Sequence, residues 1–130
     1  NRMKRFQLAV FGKQGCDKCV VLKKRLQKIL EEKPYSCFEF NYFDMGTSEG
    51  LVRFCQCEIL NPQRIPSFMV FRSGSEELSP VADRLEMPCN GEVIDTWLAM
   101  ETDYSSGGVI KPAEIRKLLD KALQTLTVKA

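Results

Sequence analysis

The stretch Phe11-Gly-Lys-Gln-Gly-Cys16-Asp-Lys-Cys19-Val-Val-Leu-Lys-Lys-Arg-Leu26 joins three signals within sixteen residues. An apolar run, Phe6 to Phe11, leads into it and predicts a buried strand over about 5–11. A loop with Gly12 and Gly15 follows, and then Val21, Leu22, Leu26 and Ile29 fall on one side of a helix predicted over about 17–33, stopped by Pro34. Two cysteines three residues apart sit where the strand gives way to the helix. Their i,i+3 spacing puts both sulfurs on one face of the first turn. Cys16, at or near the N-cap, looks into unpaired backbone N–H groups and the positive end of the helix dipole, both of which favour a thiolate. Cys19 lies one turn deeper, within reach of a disulfide. The arrangement separates an attacking sulfur from a resolving one.

The remaining chain supplies the frame. Cys37–Phe43 alternates and is rich in aromatics, which predicts a second strand ending at Asp44-Met-Gly. Thr47 or Ser48 caps a predicted helix through Leu51, Phe54, Cys55 and Ile59, closed by Asn61-Pro62. Two strands joined through a helix of this length should lie parallel with a right-handed crossover. Arg64-Ile65-Pro66-Ser67-Phe68-Met69-Val70-Phe71 reads as a third strand opened by proline, a position that marks a turn, a bulge or a cis bond. Asn90-Gly91 favours a hairpin that pairs Leu85–Cys89 with Glu92–Met100. The competing reading is a helix, because Val93, Ile94, Trp97 and Leu98 also fit a 3.6 period. Pro112 opens a last amphipathic helix with Ile115, Leu118, Leu119, Ala122 and Leu123 on its inner side. The order βαβ, helix, antiparallel strands, helix predicts an α/β sandwich with helices on both faces of one sheet.

Composition narrows the chemistry. The chain of 130 residues is read as one domain, 1–130, with a core of its own. A net charge of +2 makes no case for nucleic acid or a membrane surface. No apolar run approaches the ~18 residues of a membrane span. There is no histidine, which removes Cys–His and Ser–His–Asp catalysis and every His-containing metal site. Six cysteines, at 16, 19, 37, 55, 57 and 89, are a high count, yet the chain has too much core to be a small disulfide scaffold, and a reducing cytoplasm is the expected setting. Lys23, Lys24, Arg25 and Lys28 are read as a solvated helix face. In Cys55-Gln-Cys57, helical spacing turns the two sulfurs apart. Cys55 is expected in the core and Cys57 partly exposed. A four-cysteine Zn²⁺ or Fe–S site with Cys16 and Cys19 is the alternative. Cys37 and Cys89 are expected to be small apolar fillers, with Cys89 also a candidate extra resolving thiol. Trp97 is expected to pack in the core. Exposed with Leu98 and Met100, it would instead make the domain a non-catalytic binding module.

Taken together, Phe11-x-x-x-x-Cys16-x-x-Cys19, Ile65-Pro66-Ser67 some fifty residues on, and Gly107-Gly108 before the last helix resemble the thioredoxin/glutaredoxin superfamily. The resemblance covers about 5–74 and 106–126. The stretch 75–105 is longer than that family's hairpin and reads as an insertion. The resemblance implies a thioredoxin-like three-layer α/β/α sandwich and a thiol–disulfide oxidoreductase with Cys16 and Cys19 as catalytic residues. It implies a cis Pro66 beside the cysteines, leaving the Ile65 backbone free to bond an extended substrate. Lys13, Gly107 and Gly108 match residues with which glutaredoxins contact glutathione, while Val109-Ile110 replace the polar residues that would hold its carboxylate. Lys13 also reads as plain surface charge. Asp-Lys replaces the thioredoxin Gly-Pro between the cysteines, Gly15 stands at the active-site tryptophan, and Val10 stands at a buried acid. Lys13 and Lys18 should lower the Cys16 pKa, and an ionised Asp17 should raise it. The expected partner is a disulfide-bearing protein or glutathione, used as co-substrate rather than bound cofactor. The expected molecule is a monomer.

Overall fold

The computed structural model describes residues 4–57, 60–73, 78–86, 93–105 and 107–125. Among these are seven strands and three α-helices. They run β1 (Phe6–Gly12), α1 (Asp17–Ile29), β2 (Phe38–Asp44), α2 (Ser48–Cys55), β3 (Ser67–Ser73), β4 (Leu78–Pro80), β5 (Ala82–Glu86), β6 (Val93–Trp97), β7 (Ala99–Glu101) and α3 (Pro112–Gln124). Strand β1 lies parallel to β2, Phe6 opposite Phe38, as the intervening helix requires. It lies antiparallel to β3, Phe11 opposite Ser67. This is the expected thioredoxin-like α/β sandwich.

Strand β1 is central and apolar on both sides, and its alternation sorts the two cores. Phe6, Leu8 and Val10 join Phe38, Phe68 and Val70 beneath Leu22, Leu26 and Ile29 of α1 and Ile115, Leu119 and Ala122 of α3. Ala9 and Phe11 face the other way, into a second cluster with Met69, Phe71, Phe54 of α2, Cys57, Leu60, Ile65 and Cys19. Leu118 and Leu123 are only partly buried at the rim of the first cluster.

The outer flank of β3 is completed by two separate segments. Strand β4 pairs with its far end, Phe71 opposite Pro80, and β7 with its near end, Ser67 opposite Glu101. They meet at Val70, whose N–H donates to Leu98 and whose carbonyl accepts from Val81. Between them the chain leaves the sheet as the β5–β6 hairpin, with Leu85 opposite Ile94. A hairpin rather than a helix therefore forms, but it pairs Ala82–Glu86 with Val93–Trp97 instead of the expected 85–89 with 92–100, and Ala99 and Met100 belong to the main sheet. The Asn90-Gly91 turn and Cys89 lie outside the described residues. Leu98 turns inward and is buried, whereas Trp97, expected in the core, is 42% exposed.

Other boundaries shift for local reasons. Helix α1 stops at Ile29, short of 33, and Pro34 enters a separate 3₁₀ turn, Lys33–Tyr35, near whose start a proline without an N–H is tolerated. Thr47 caps α2 by accepting the Gly50 N–H at 3.0 Å, and the helix ends at Cys55. Pro112 opens α3 at its first position, as expected.

The buried Tyr35 hydroxyl donates to Asp120 Oδ1 of α3 at 2.9 Å. Burial, and then the Asp120 carboxylate holding its proton, push this phenol up to about 12. An unfolded tyrosine ionises near ~10. The folded value is the higher one, so this contribution to stability is complete below that pH and is lost as pH rises toward the folded value. Ultraviolet titration should show one phenol ionising near 12, absent in Tyr35→Phe. All phenols ionising together near ~10 would contradict it.

Candidate functional site

Gly15 brings the chain out of β1 with φ +74°, a left-handed conformation that favours glycine, and Cys16 then caps α1. The Cys16 sulfur accepts the Cys19 backbone N–H at 3.2 Å, so it takes one of the helix's orphan donors. Cys16 and Cys19 form a disulfide across a Cα separation of 5.2 Å. The two sulfurs differ in access. Cys16 is half-buried, whereas Cys19 is 2% exposed and packed among Phe11, Phe54 and Ile65. Asp17 is exposed in the first turn, where a carboxylate complements the dipole. Lys13 is exposed on the preceding loop.

Opposite the pair, the Ile65–Pro66 bond is cis, and Ile65 belongs to the same apolar cluster as both cysteines. The β3 ladders end at Ser67, so the carbonyls before it have no strand partner. Residues 102–104 supply the donors. The Thr102 N–H donates to the Arg64 carbonyl at 3.1 Å, and the Thr102 hydroxyl donates to the Pro66 carbonyl at 2.6 Å. The Tyr104 hydroxyl donates to the Ile65 carbonyl between them. The expectation that the Ile65 backbone stands free is thereby corrected for its carbonyl, which already accepts a bond within the chain.

Lys18, between the two cysteines in the first turn of α1, bridges to the same segment. Its ammonium donates to the Gly107 carbonyl at 3.2 Å and lies 5.6 Å from the centre of the Tyr104 ring. Gly107 has φ +73°, and a Cβ there would meet nothing within 4 Å. Its requirement for glycine is therefore conformational rather than steric. Gly107 and Gly108 are both exposed. Arg25, read from sequence as solvated, instead donates to the Val109 and Ile110 carbonyls at 3.3 and 2.8 Å. It thus holds the turn after the glycine pair against α1. Lys23, from the same face, lies 4.6 Å from the centre of the Tyr42 ring. Tyr104, Thr102 and Arg25 are the site residues that sequence reasoning passed over. The one legible cue was the position of Arg25 three residues after buried Leu22, at the edge of the apolar stripe.

The second cysteine pair is the reverse of the expectation. Cys55, in the last turn of α2, is exposed, and Cys57, beyond the cap residue Gln56, is 1% exposed in the second cluster. Burial pushes the Cys57 thiol up from its ordinary value. Cys37 is half-buried against the first cluster, and burial raises it too. Among the described residues no three Cys, Asp or Glu side chains converge as a metal-ligating group, so the four-cysteine assembly is not built. No helix among them is long and apolar enough to cross a membrane.

No family model matches the sequence, and no curated protein matches it. Among solved structures, the chain is similar to thioredoxin O2 from Arabidopsis thaliana in its oxidized state. That likeness has 7% identity and a TM-score of 0.56, over 90% of this chain and 74% of the other. Mitochondrial thioredoxin 3 from Saccharomyces cerevisiae matches at 13% identity and TM-score 0.43, over 79% of this chain and 73% of the other. A Plasmodium falciparum thioredoxin matches at 10% identity and TM-score 0.44, over 81% and 67%. What the first of these shares with the chain is its fold.

Proposed function

We propose that this chain, which carries the thioredoxin-like fold, is a thiol–disulfide oxidoreductase working through Cys16 and Cys19. The supporting observation is the inequality of the two sulfurs. One caps a helix and reaches the surface, and the other is buried one turn behind it. In the reduced form the Cys16 thiolate attacks a substrate disulfide. That S–S bond breaks, the departing thiolate takes up a proton, and a Cys16–substrate disulfide forms. Cys19, giving up its proton, then attacks the Cys16 sulfur and releases the second substrate thiol. Two electrons and two protons pass to the substrate, and the Cys16–Cys19 disulfide remains. A dithiol, or two glutathione molecules, returns it to the reduced state.

The other roles are proposed from the thioredoxin/glutaredoxin resemblance. Lys13, Gly107 and Gly108 are the proposed contacts for a glutathione moiety, and Ile65 and Pro66 form the wall against which the substrate sulfur lies. Asp17 and Lys18 tune Cys16. The proposed working form is a cytoplasmic monomer acting on disulfide-bearing proteins or on glutathione disulfide.

Two measurements on pre-reduced protein test this reading. The protein should reduce a small aromatic disulfide, and iodoacetamide should modify Cys16 with a midpoint below the ~8.5 of a free thiol. A midpoint at or above that value, together with no reduction, would exclude an activated nucleophile.

A further inference from the structure

The geometry points to Tyr104 as a specificity-determining residue that holds the site closed to extended peptide disulfides while leaving it open to compact ones. This rests on the dithiol reading of Cys16 and Cys19. Adding a strand to an edge uses both the N–H and the carbonyl of a residue facing the incoming chain. At the edge beside the cysteines, three successive carbonyls, Arg64, Ile65 and Pro66, each already accept a hydrogen bond from residue 102 or 104. Pro66 has no N–H to offer in exchange.

The three ties are not equally permanent. Thr102 makes two of them and is fully buried, so its donors are part of the fold. Tyr104 makes the third from a side chain that is 51% exposed, in a turn between Thr102 and the left-handed Gly107. Lys18 lies near its ring from the first turn of α1 and also bonds the Gly107 carbonyl. The ring therefore lies between the helix that carries the cysteines and the loop that would receive a substrate backbone. A peptide N–H must compete with the Tyr104 hydroxyl for the Ile65 carbonyl. A small disulfide needs only the Cys16 sulfur.

Tyr104→Phe keeps the ring and removes the competing donor. Pre-reduced parent and variant would each be mixed with insulin, as the peptide disulfide, and with the small aromatic disulfide, and single-turnover rates recorded. The ratio of the insulin rate to the small-disulfide rate is expected to rise about two- to tenfold in the variant, the yield of one freed hydrogen bond. An unchanged or lower ratio overturns the assignment. If the parent reacts with neither disulfide, the dithiol reading itself fails. If it reacts with the small one and the ratio does not move, only the role of Tyr104 fails. A loss of general stability would slow both reactions together and leave the ratio alone.

Discussion

Cys19→Ser, reduced and challenged with a disulfide substrate, is expected to halt as a covalent adduct on Cys16, while Cys16→Ser forms no adduct. Steady turnover should fall about a thousandfold or more in each, as when members of one reacting unit are removed singly. The asymmetry comes from access and not from chemistry, since both residues carry the same group. Cys19 lies beneath Phe11, Phe54 and Ile65, so an external disulfide cannot approach its sulfur along the S–S axis. Cys16 sits at the helix mouth with the Cys19 N–H directed at its sulfur, and that donor favours the thiolate in the reduced protein. A serine at 19 has a hydroxyl that stays protonated near neutrality, so the mixed disulfide has no partner to resolve it. Mass spectrometry of the trapped protein reads the outcome. An adduct on Cys19 in Cys16→Ser, formed as fast as on Cys16 in the parent, would reverse the assignment.

Phe11→Ala should cost about 3–5 kcal/mol of stability, the range for truncating a fully buried phenylalanine. Phe11 is completely buried, 5.6 Å from the Phe43 ring in a stacked pair and 5.1 Å from Phe54 edge to face. It thereby ties the central strand to β2 and to α2. Domains of this kind are stable by about 5–15 kcal/mol in total. The loss should therefore lower the thermal midpoint by about 10 °C or more. Denaturant titration decides the matter, because a loss below ~1 kcal/mol would mean that the neighbouring rings close over the gap. Since Cys19 and Ile65 share this cluster, the variant should also loosen the floor of the cysteine site.

Most of the frame was legible in the sequence because it rests on local rules. The unbroken apolar run of β1, the cysteine at the head of α1 and Pro112 at the first position of α3 each carry their own signal. The cis Ile65–Pro66 bond was one of three readings that a strand-opening proline allows, and the resemblance selected it. Misread positions lie where a local period runs out. Helical spacing was extended past Cys55, but α2 ends there, and the chain beyond Gln56 turns Cys57 inward. Trp97 and Leu98 fitted a helical stripe, yet the chain is extended there, so adjacent residues point oppositely and only Leu98 is buried. The donors of Thr102 and Tyr104 reach carbonyls 36 and 39 residues away, and no periodicity encodes such a pairing.

The interrupted border of the sheet bears on how crowded copies of this chain behave. An intruding strand gains hold by hydrogen-bonding an uninterrupted row, and strands commonly run five or six residues. Beyond β3 the row consists of two lengths of three residues, Leu78–Pro80 and Ala99–Glu101, with a hairpin rising where they abut. A proline, which has no N–H to give, closes the first. Neither foothold is long enough to template a neighbour, so this margin resists the edge-to-edge polymerisation that a continuous rim would invite.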